Sequence, residues 1–277
     1  MILHRPHHGG ALAKATLVLM SLLCLVSSNK GLRHVPSSSL SPAVEETFTR
    51  AAVLYLSTAQ LEHYIPEVKW FLRSWEMMQL HEPNHFRTDV ILVVPSYDPQ
   101  LSTLPCVNTI RTSKSEQGQC RIVPGYVPWS ERDEYILKDY NYGNSIEAIA
   151  FADDSGALAK YDKILRTDID AFLTPAFADW NPEKFVVGGG GFCQGYDTCD
   201  RLRNISLEMD LAPKTTESPV DNIGSTWYGS TNKIVECARM TKEVMEYMRV
   251  NSFTDEELDP SYGITVSDMV DSELVPI

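Results

Sequence analysis

Short, uninterrupted apolar runs alternate along this chain with longer stretches in which apolar residues recur every three or four positions. Ala51–Thr58 (AAVLYLST) is the first short run. A strand with one wet face would alternate apolar and polar residues. A continuous run instead suits a strand covered on both faces, as in a parallel sheet. From Glu62 to Leu80 the period changes: Tyr64, Ile65, Val68, Phe71, Leu72, Trp75 and Met78 fall at three- and four-residue steps and predict an amphipathic helix. Thr88–Pro95 (TDVILVVP) predicts a second buried strand. Strand, helix, strand at these lengths forms a crossover unit, and the pattern recurs. Arg121–Val123 predicts a short strand, and Asn144 or Ser145 is placed to cap a helix carrying Ile146, Ile149 and Phe151. Tyr161–Thr167 and Phe185–Val187 predict two more strands, the second running into four glycines, Gly188–Gly191. A last helix from about Lys233 to Arg249 buries Ile234, Val235, Ala238, Val244, Met245 and Met248. The whole predicts an α/β fold with a mostly parallel central sheet flanked by helices.

The N-terminus breaks this pattern. Arg5, Lys14 and several histidines precede an apolar stretch, Ala15–Val26, which ends in Ser27 and Ser28. The stretch is shorter than the roughly 18–20 residues that span a bilayer, so residues 1–28 read as a signal peptide or, alternatively, a signal anchor. Membrane contact is expected only through that segment. Residues 29–44 are serine-rich without apolar period and read as a flexible linker. The folded domain is expected over 45–277, in the ER or Golgi lumen or secreted.

Charge and cysteine usage narrow the partners. A formal net charge of −13 provides no basic footprint for a phosphate backbone, so nucleic acid is not expected. An anionic ligand would need local help, most simply a bound cation. Outside the apolar N-terminal stretch lie Cys106, Cys120, Cys193, Cys199 and Cys237. Local pairing suggests Cys106 with Cys120 and Cys193 with Cys199, leaving one thiol over, although spacing alone does not fix connectivity. Asn204-Ile205-Ser206 is a single glycosylation sequon.

The chemistry concentrates at Asp168-Ile169-Asp170. In an extended segment alternate side chains point the same way, so the two carboxylates would share a face while Ile169 turns to the core. Carboxylates that close repel unless a cation lies between them, and hard oxygen ligands suit Mn2+, Mg2+ or Ca2+. A D-x-D triplet on a loop is commonly a solvated turn. Here it follows a candidate strand (YDKILRT), at the carboxyl end where open α/β sheets take their ligands.

The stretch YDKILRTDIDAFLTP resembles the metal-binding region of the GT-A glycosyltransferase superfamily. The run from Tyr161 to Gly229, with KFVVGGGGFCQ and NIGSTWYG, resembles a family of eukaryotic lumenal proteins with a glycosyltransferase-like domain and no assigned activity. The resemblance covers most of residues 50–250 and implies a Rossmann-like GT-A fold. It also implies transfer of a sugar from a nucleotide sugar to a glycan, protein or lipid acceptor, dependent on Mn2+ or Mg2+. It makes Asp168 the residue facing ribose and metal, Asp170 the main metal ligand, and Arg166 a charge-balancing neighbour or a structural ion pair. It also draws Asn222, Gly224, Ser225 and Trp227 to the sugar pocket, where amide, hydroxyl and ring would hold a sugar; a core tryptophan beside a polar turn is the competing reading. Gly188–Gly191 would let backbone approach the ligand or serve only as a loop, and Tyr140, Asn141 and Tyr142 would stack a base or pack a loop.

Two features depart from the resembled pattern. Every histidine precedes the acidic pair, so the later histidine ligand of many GT-A enzymes has no counterpart, and Asp268 or Asp271 would have to substitute. The acidic tail Thr254–Ile277 suggests a truncated or altered C-terminus. A catalytically inactive lumenal carbohydrate-binding or scaffold protein of the same fold is therefore the alternative. An aspartyl-phosphate phosphatase is disfavoured by Phe172, which stands where a small residue normally follows such a pair.

Overall fold

A computed structural model describes residues 46–138, 143–189, 204–211 and 223–251, with the backbone alone at 223–225. The expected signal segment, linker and acidic tail, Tyr140–Tyr142, Cys193, Cys199, Asn222, Asp268 and Asp271 lie outside the described residues.

Seven strands form one sheet: β1 Phe48–Tyr55, β2 Phe86–Val94, β3 Cys106–Val107, β4 Cys120–Pro124, β5 Lys163–Arg166, β6 Val186–Gly189 and β7 Ile223–Ser230. Among the described residues three long helices accompany them: α1 Leu61–Gln79, α2 Asn144–Asp154 and α3 Thr231–Asn251. The strand order is β3-β4-β2-β1-β5-β7-β6. β1 pairs in parallel with β2 and β5, and β4 in parallel with β2 and β3, whereas β7 runs antiparallel to both β5 and β6. The fold is mixed α/β with a mostly parallel sheet, as the apolar runs predict.

Continuous apolar strands arise because both faces of the sheet are covered. Ala51 and Val53 of β1, with Ile91 and Val93 of β2, enter one core together with α2 and α3. The alternate residues Ala52, Leu54, Leu92 and Val94 enter a second core against α1. α1 buries Leu61, Ile65, Val68, Phe71, Leu72, Trp75 and Met78, the stripe its periodicity marks. α3 buries Ile234, Val235, Ala238, Val244, Met245 and Met248 in the same way.

Several local expectations are corrected. Neither Asn144 nor Ser145 caps α2; Gly143 occupies that position without a side-chain cap. The Asn144 carboxamide oxygen instead accepts from the Trp129 amide at 2.9 Å and the Tyr126 hydroxyl at 2.9 Å, and the Ser145 hydroxyl accepts from Arg166. Gly143 is required there, since a Cβ would come within 2.0 Å of the Trp129 ring. Cys106 and Cys120 are joined as local pairing suggests, directly opposite each other on β3 and β4. Cys237, which that pairing leaves over, is itself disulfide-bonded.

The N-terminal end of the sheet is closed by buried charge. Asp89 of β2 has no exposed surface, yet it accepts from both Arg111 (3.1 and 2.6 Å) and Arg121 (2.6 Å), from the Tyr161 hydroxyl and from the Gln119 amide at 2.9 Å. Arg121 also meets Glu116 at 2.8 Å, so two guanidinium groups face two carboxylates. Burial alone would depress both arginines, but the bonds and charge of Asp89 raise them above the ordinary value. Burial and the same anion push the Tyr161 hydroxyl up. Asp89→Ala leaves two buried guanidinium groups without their carboxylate, and urea unfolding should report a loss of about 3–5 kcal/mol.

Glu116 is drawn down to about 2 by the Thr112 hydroxyl, the Ser113 and Thr112 amides, and Arg121. A carboxylate lowered on folding stabilises the native state above its unfolded value of about 4.3, and that contribution is lost as pH falls toward 2. Thermal unfolding of Glu116→Gln against pH should therefore show a shallower decline than wild type between about pH 4.5 and about pH 2.

Candidate functional site

The sheet's connections reverse at one place. From β1 the chain moves outward to β2 and β4, then returns across to β5 on the other side of β1. The carboxyl ends of β1 and β5 therefore flank a topological switch point, where open α/β sheets place ligands. Tyr55 closes β1 and is followed by Ser57; Arg166 closes β5 and is followed by Thr167 and Asp168. In crossover units the helix that follows a strand starts at this same edge, so α1 and α2 begin here. Helix N-termini carry partial positive charge and unpaired amides, which favour anions.

The acidic pair differs from the expected extended geometry. Residues 169 and 170 form a turn, and the Ala171 amide donates to the Asp168 carbonyl at 3.3 Å. Ile169 packs against the α1-side core, as expected, while Asp170 is exposed. Asp168 keeps 44% of its side-chain surface exposed and pairs with Arg166 at 3.1 Å. Arg166 and Asp168 are thus in contact, as both the charge-balancing and the structural ion-pair reading of Arg166 require. Arg166 itself is only 3% exposed, and burial lowers its basicity while Asp168 opposes that. Ser145 accepts from the Arg166 guanidinium at 2.7 Å, and the guanidinium lies 5.7 Å from the centre of the Trp227 ring.

Gly224, Ser225 and Trp227 of the segment drawn to the sugar pocket lie in strand β7, which runs opposite to β5. Arg166 pairs with Trp227 across these strands, and the Thr167 and Thr226 hydroxyls are 3.5 Å apart. β7 therefore delivers its early residues to the edge where β5 ends, bringing the backbone of Gly224 and Ser225 toward Asp168. Trp227 has no exposed surface, and its indole carries Arg166 on the α2–α3 face. Gly188 and Gly189 belong to β6. Among the described residues, no three or more His, Cys, Asp or Glu side chains gather into a metal-holding group.

Sequence reasoning missed Tyr55, whose ring meets Tyr126 edge-on at 5.4 Å beside the switch point. Burial pushes its hydroxyl up to about 12, with Glu131 adding to the shift against a bond to Ser57. It also missed a cavity of about 270 Å³ on the α1 face, beside the acidic turn. Thr167 and Thr226 line it, with Phe71, Phe177, Trp180 and Tyr228 among its apolar walls. Asp168 and Asp170 are not part of that lining.

These features define a mixed α/β protein with an open sheet and an acidic turn at its switch point. Over residues 45–265 the chain matches the family described as Domain of unknown function (DUF7164), and it belongs to that family. No functionally curated protein matches it.

The two aspartates carry different structural weight. Asp168→Asn removes the carboxylate beside buried Arg166, and urea unfolding should show a loss of about 1 kcal/mol, since Asp168 is itself partly screened by water. Asp170→Asn, on an exposed turn, should change stability by less than about 0.5 kcal/mol.

Proposed function

We propose that the chain is a GT-A-type glycosyltransferase of the secretory pathway, moving a sugar from a nucleotide sugar to an acceptor with a divalent cation bound at Asp168 and Asp170. The observation that carries this reading is the position of the acidic turn directly after β5, at the switch point of a mostly parallel sheet. The residue types fit Mn2+ or Mg2+. Such an ion takes oxygen ligands, keeps several waters and is commonly held by one or two carboxylates plus substrate phosphates, so a dedicated cage of three or more protein ligands is not needed. The cation would supply neutralisation of the charge that develops on the departing diphosphate.

Arg166 pairs with Asp168 at 3.1 Å while 44% of the Asp168 side chain stays exposed, so the carboxylate is reachable by a ligand. The starts of α1 and α2 add amides suited to phosphate oxygens. Ser225 and the backbone at Gly224 would border the transferred sugar, with Asn222 the residue just before β7. Disulfide bonding at Cys106–Cys120 and at Cys237 suits an oxidising lumen or the exterior.

The Arg166–Asp168 pair also favours a second reading. A guanidinium already supplies a positive charge to Asp168, and a protein balanced in this way can retain the fold as a catalytically inactive carbohydrate-binding or scaffold protein.

Titration calorimetry with UDP or GDP separates the two. The transferase reading expects heat that requires Mn2+ and falls at least tenfold in Asp170→Asn, a variant of unchanged stability. Equal heat with and without Mn2+, or none at all, rejects it. Metal-dependent hydrolysis or transfer of a nucleotide sugar, lost in Asp170→Asn, rejects the inactive alternative.

A further inference from the structure

We infer that the 270 Å³ cavity on the α1 face binds a neutral alcohol with a single apolar ring, aromatic or alicyclic, its hydroxyl held by Thr167 and Thr226.

Three properties of the cavity select that ligand. The first is charge: among the described residues no charged side chain lines it, so an anion would find no compensation for its lost hydration and a cation only the faces of the rings. The second is polarity. Its wall is Phe71, Leu165, Phe177, Val186 and Tyr228, and threonine hydroxyls at 167, 174 and 226 supply most of its polar side-chain groups. A pyranose would bury several hydroxyls against this wall, each needing a partner, whereas an apolar ring with one hydroxyl brings only one such group. The third is size. An apolar cavity of about 150 Å³ accommodates benzene in another protein. A volume of 270 Å³ therefore takes one ring with a short arm, not a disaccharide or a long acyl chain.

The polar end of the cavity is lightly engaged. The Thr167 and Thr226 hydroxyls are 3.5 Å apart, well beyond the 2.7–2.8 Å typical of a hydroxyl pair. Both retain capacity for a shorter bond to a ligand oxygen. The lining also includes exposed rings, Phe172 at 62% and Trp180 at 41%. Exposed rings at the rim of an apolar cavity offer flat surface for a ligand ring to slide along and then cover.

The walls are held in place from behind. Arg50, fully buried on β1, donates to the carbonyls of Ala178 (2.6 Å) and Trp180 (3.0 Å), and its guanidinium lies 4.2 Å from the centre of the Phe177 ring. Trp180 in turn stacks on Tyr228 at 5.2 Å. The segment between the acidic turn and β6 is thereby fixed against the sheet, so the cavity exists before a ligand arrives.

Binding at this cavity stands apart from the transferase reading, but the ligand's role rests on it. Thr167 immediately precedes Asp168, so an alcohol held by Thr167 and Thr226 is placed beside the acidic turn as an acceptor. In that role its oxygen bonds to the anomeric carbon of the donor as the bond from that carbon to the diphosphate breaks. The electron pair leaves with the diphosphate, and the hydroxyl proton passes to solvent.

The test uses benzyl alcohol and methyl α-glucoside as probes, followed by amide NMR spectra of the protein. Benzyl alcohol should shift the Thr167, Gly188 and Thr226 amides saturably, with or without Mn2+ and UDP and unchanged in Asp170→Asn. Phe172→Ala, at an exposed rim position, should weaken it at least threefold, Trp180→Ala at least tenfold, and the near-isosteric Thr226→Val at least threefold. Shifts that do not saturate, that gather around exposed Trp70 and Leu80, or that survive Phe172→Ala and Thr226→Val unchanged overturn the proposal. Tighter binding of methyl α-glucoside at the same amides overturns it too, in favour of a sugar. Failure of UDP and Mn2+ to bind, with benzyl alcohol still bound, rejects the transferase reading alone.

Discussion

One fully buried carboxylate, Asp89, sets the condition under which this sheet can form. An unpaired anion on a central strand would be too costly to bury, so the loop after β3 must fold back to bring Arg111, and β4 must pair in the register that brings Arg121. Arg111 then holds that loop through the carbonyls of Ser113, Lys114, Glu116 and Gln117. The Tyr161 hydroxyl reaches the same carboxylate from the start of β5. A single charge thus fixes the β2–β4 register, an irregular loop and the entry to β5.

The two ends of the sheet use charge differently. At the Asp89 end, Arg111 and Arg121 are enclosed with Asp89, and Glu116, partly exposed, adds a second anion to match the two cations. At the other end, Arg166 is enclosed but its partner Asp168 is not, and Asp170 beside it has no described partner. Burial of the cation with exposure of the anion makes this edge a place where an incoming positive charge competes with a fixed guanidinium. A metal that binds there must share Asp168 with Arg166 or rely chiefly on Asp170. That asymmetry is the physical reason Asp170 is the more informative of the two aspartates to alter.

Much of the fold was legible because it rests on local periodicity. The strands β1, β2, β4 and β5 and the helices α1 and α3 follow from apolar runs and three-to-four spacing, with ends misplaced by a few residues. What was not legible depends on partners distant in sequence. NIGSTWYG reads as a sugar-binding segment or a core tryptophan beside a polar turn because most of its residues lack apolar character, yet its residues from Ile223 onward lie in β7, with β5 and β6 on either side. Asp89 sits inside TDVILVVP with nothing nearby to announce two arginines. Asn144 and Ser145 look like helix caps because the cap signal is local, whereas their actual partners, Tyr126, Trp129 and Arg166, come from other segments. The extended geometry assumed for the acidic pair fails for a similar reason: β5 ends at Arg166, and the chain must turn at once to lay Leu173 against α1, where its amide donates to Ser74 at 2.9 Å.

The reversed strand explains how a candidate site arises from residues the sequence keeps apart. Parallel strands all present their final residues at one edge, and those positions alone give Tyr55, Arg166 and Thr167. An antiparallel strand inserted beside β5 presents its first residues there instead, so Thr226 meets Thr167 although more than fifty positions separate them. Alternation across the pleat then divides the edge in two. Arg166 and Trp227 fall on the α2–α3 face, buried and charged, while Thr167, Thr226 and Tyr228 fall on the α1 face, around an uncharged cavity. One strand end thereby borders two chemically distinct environments within two residues of each other, an acidic turn and an uncharged, largely apolar cavity.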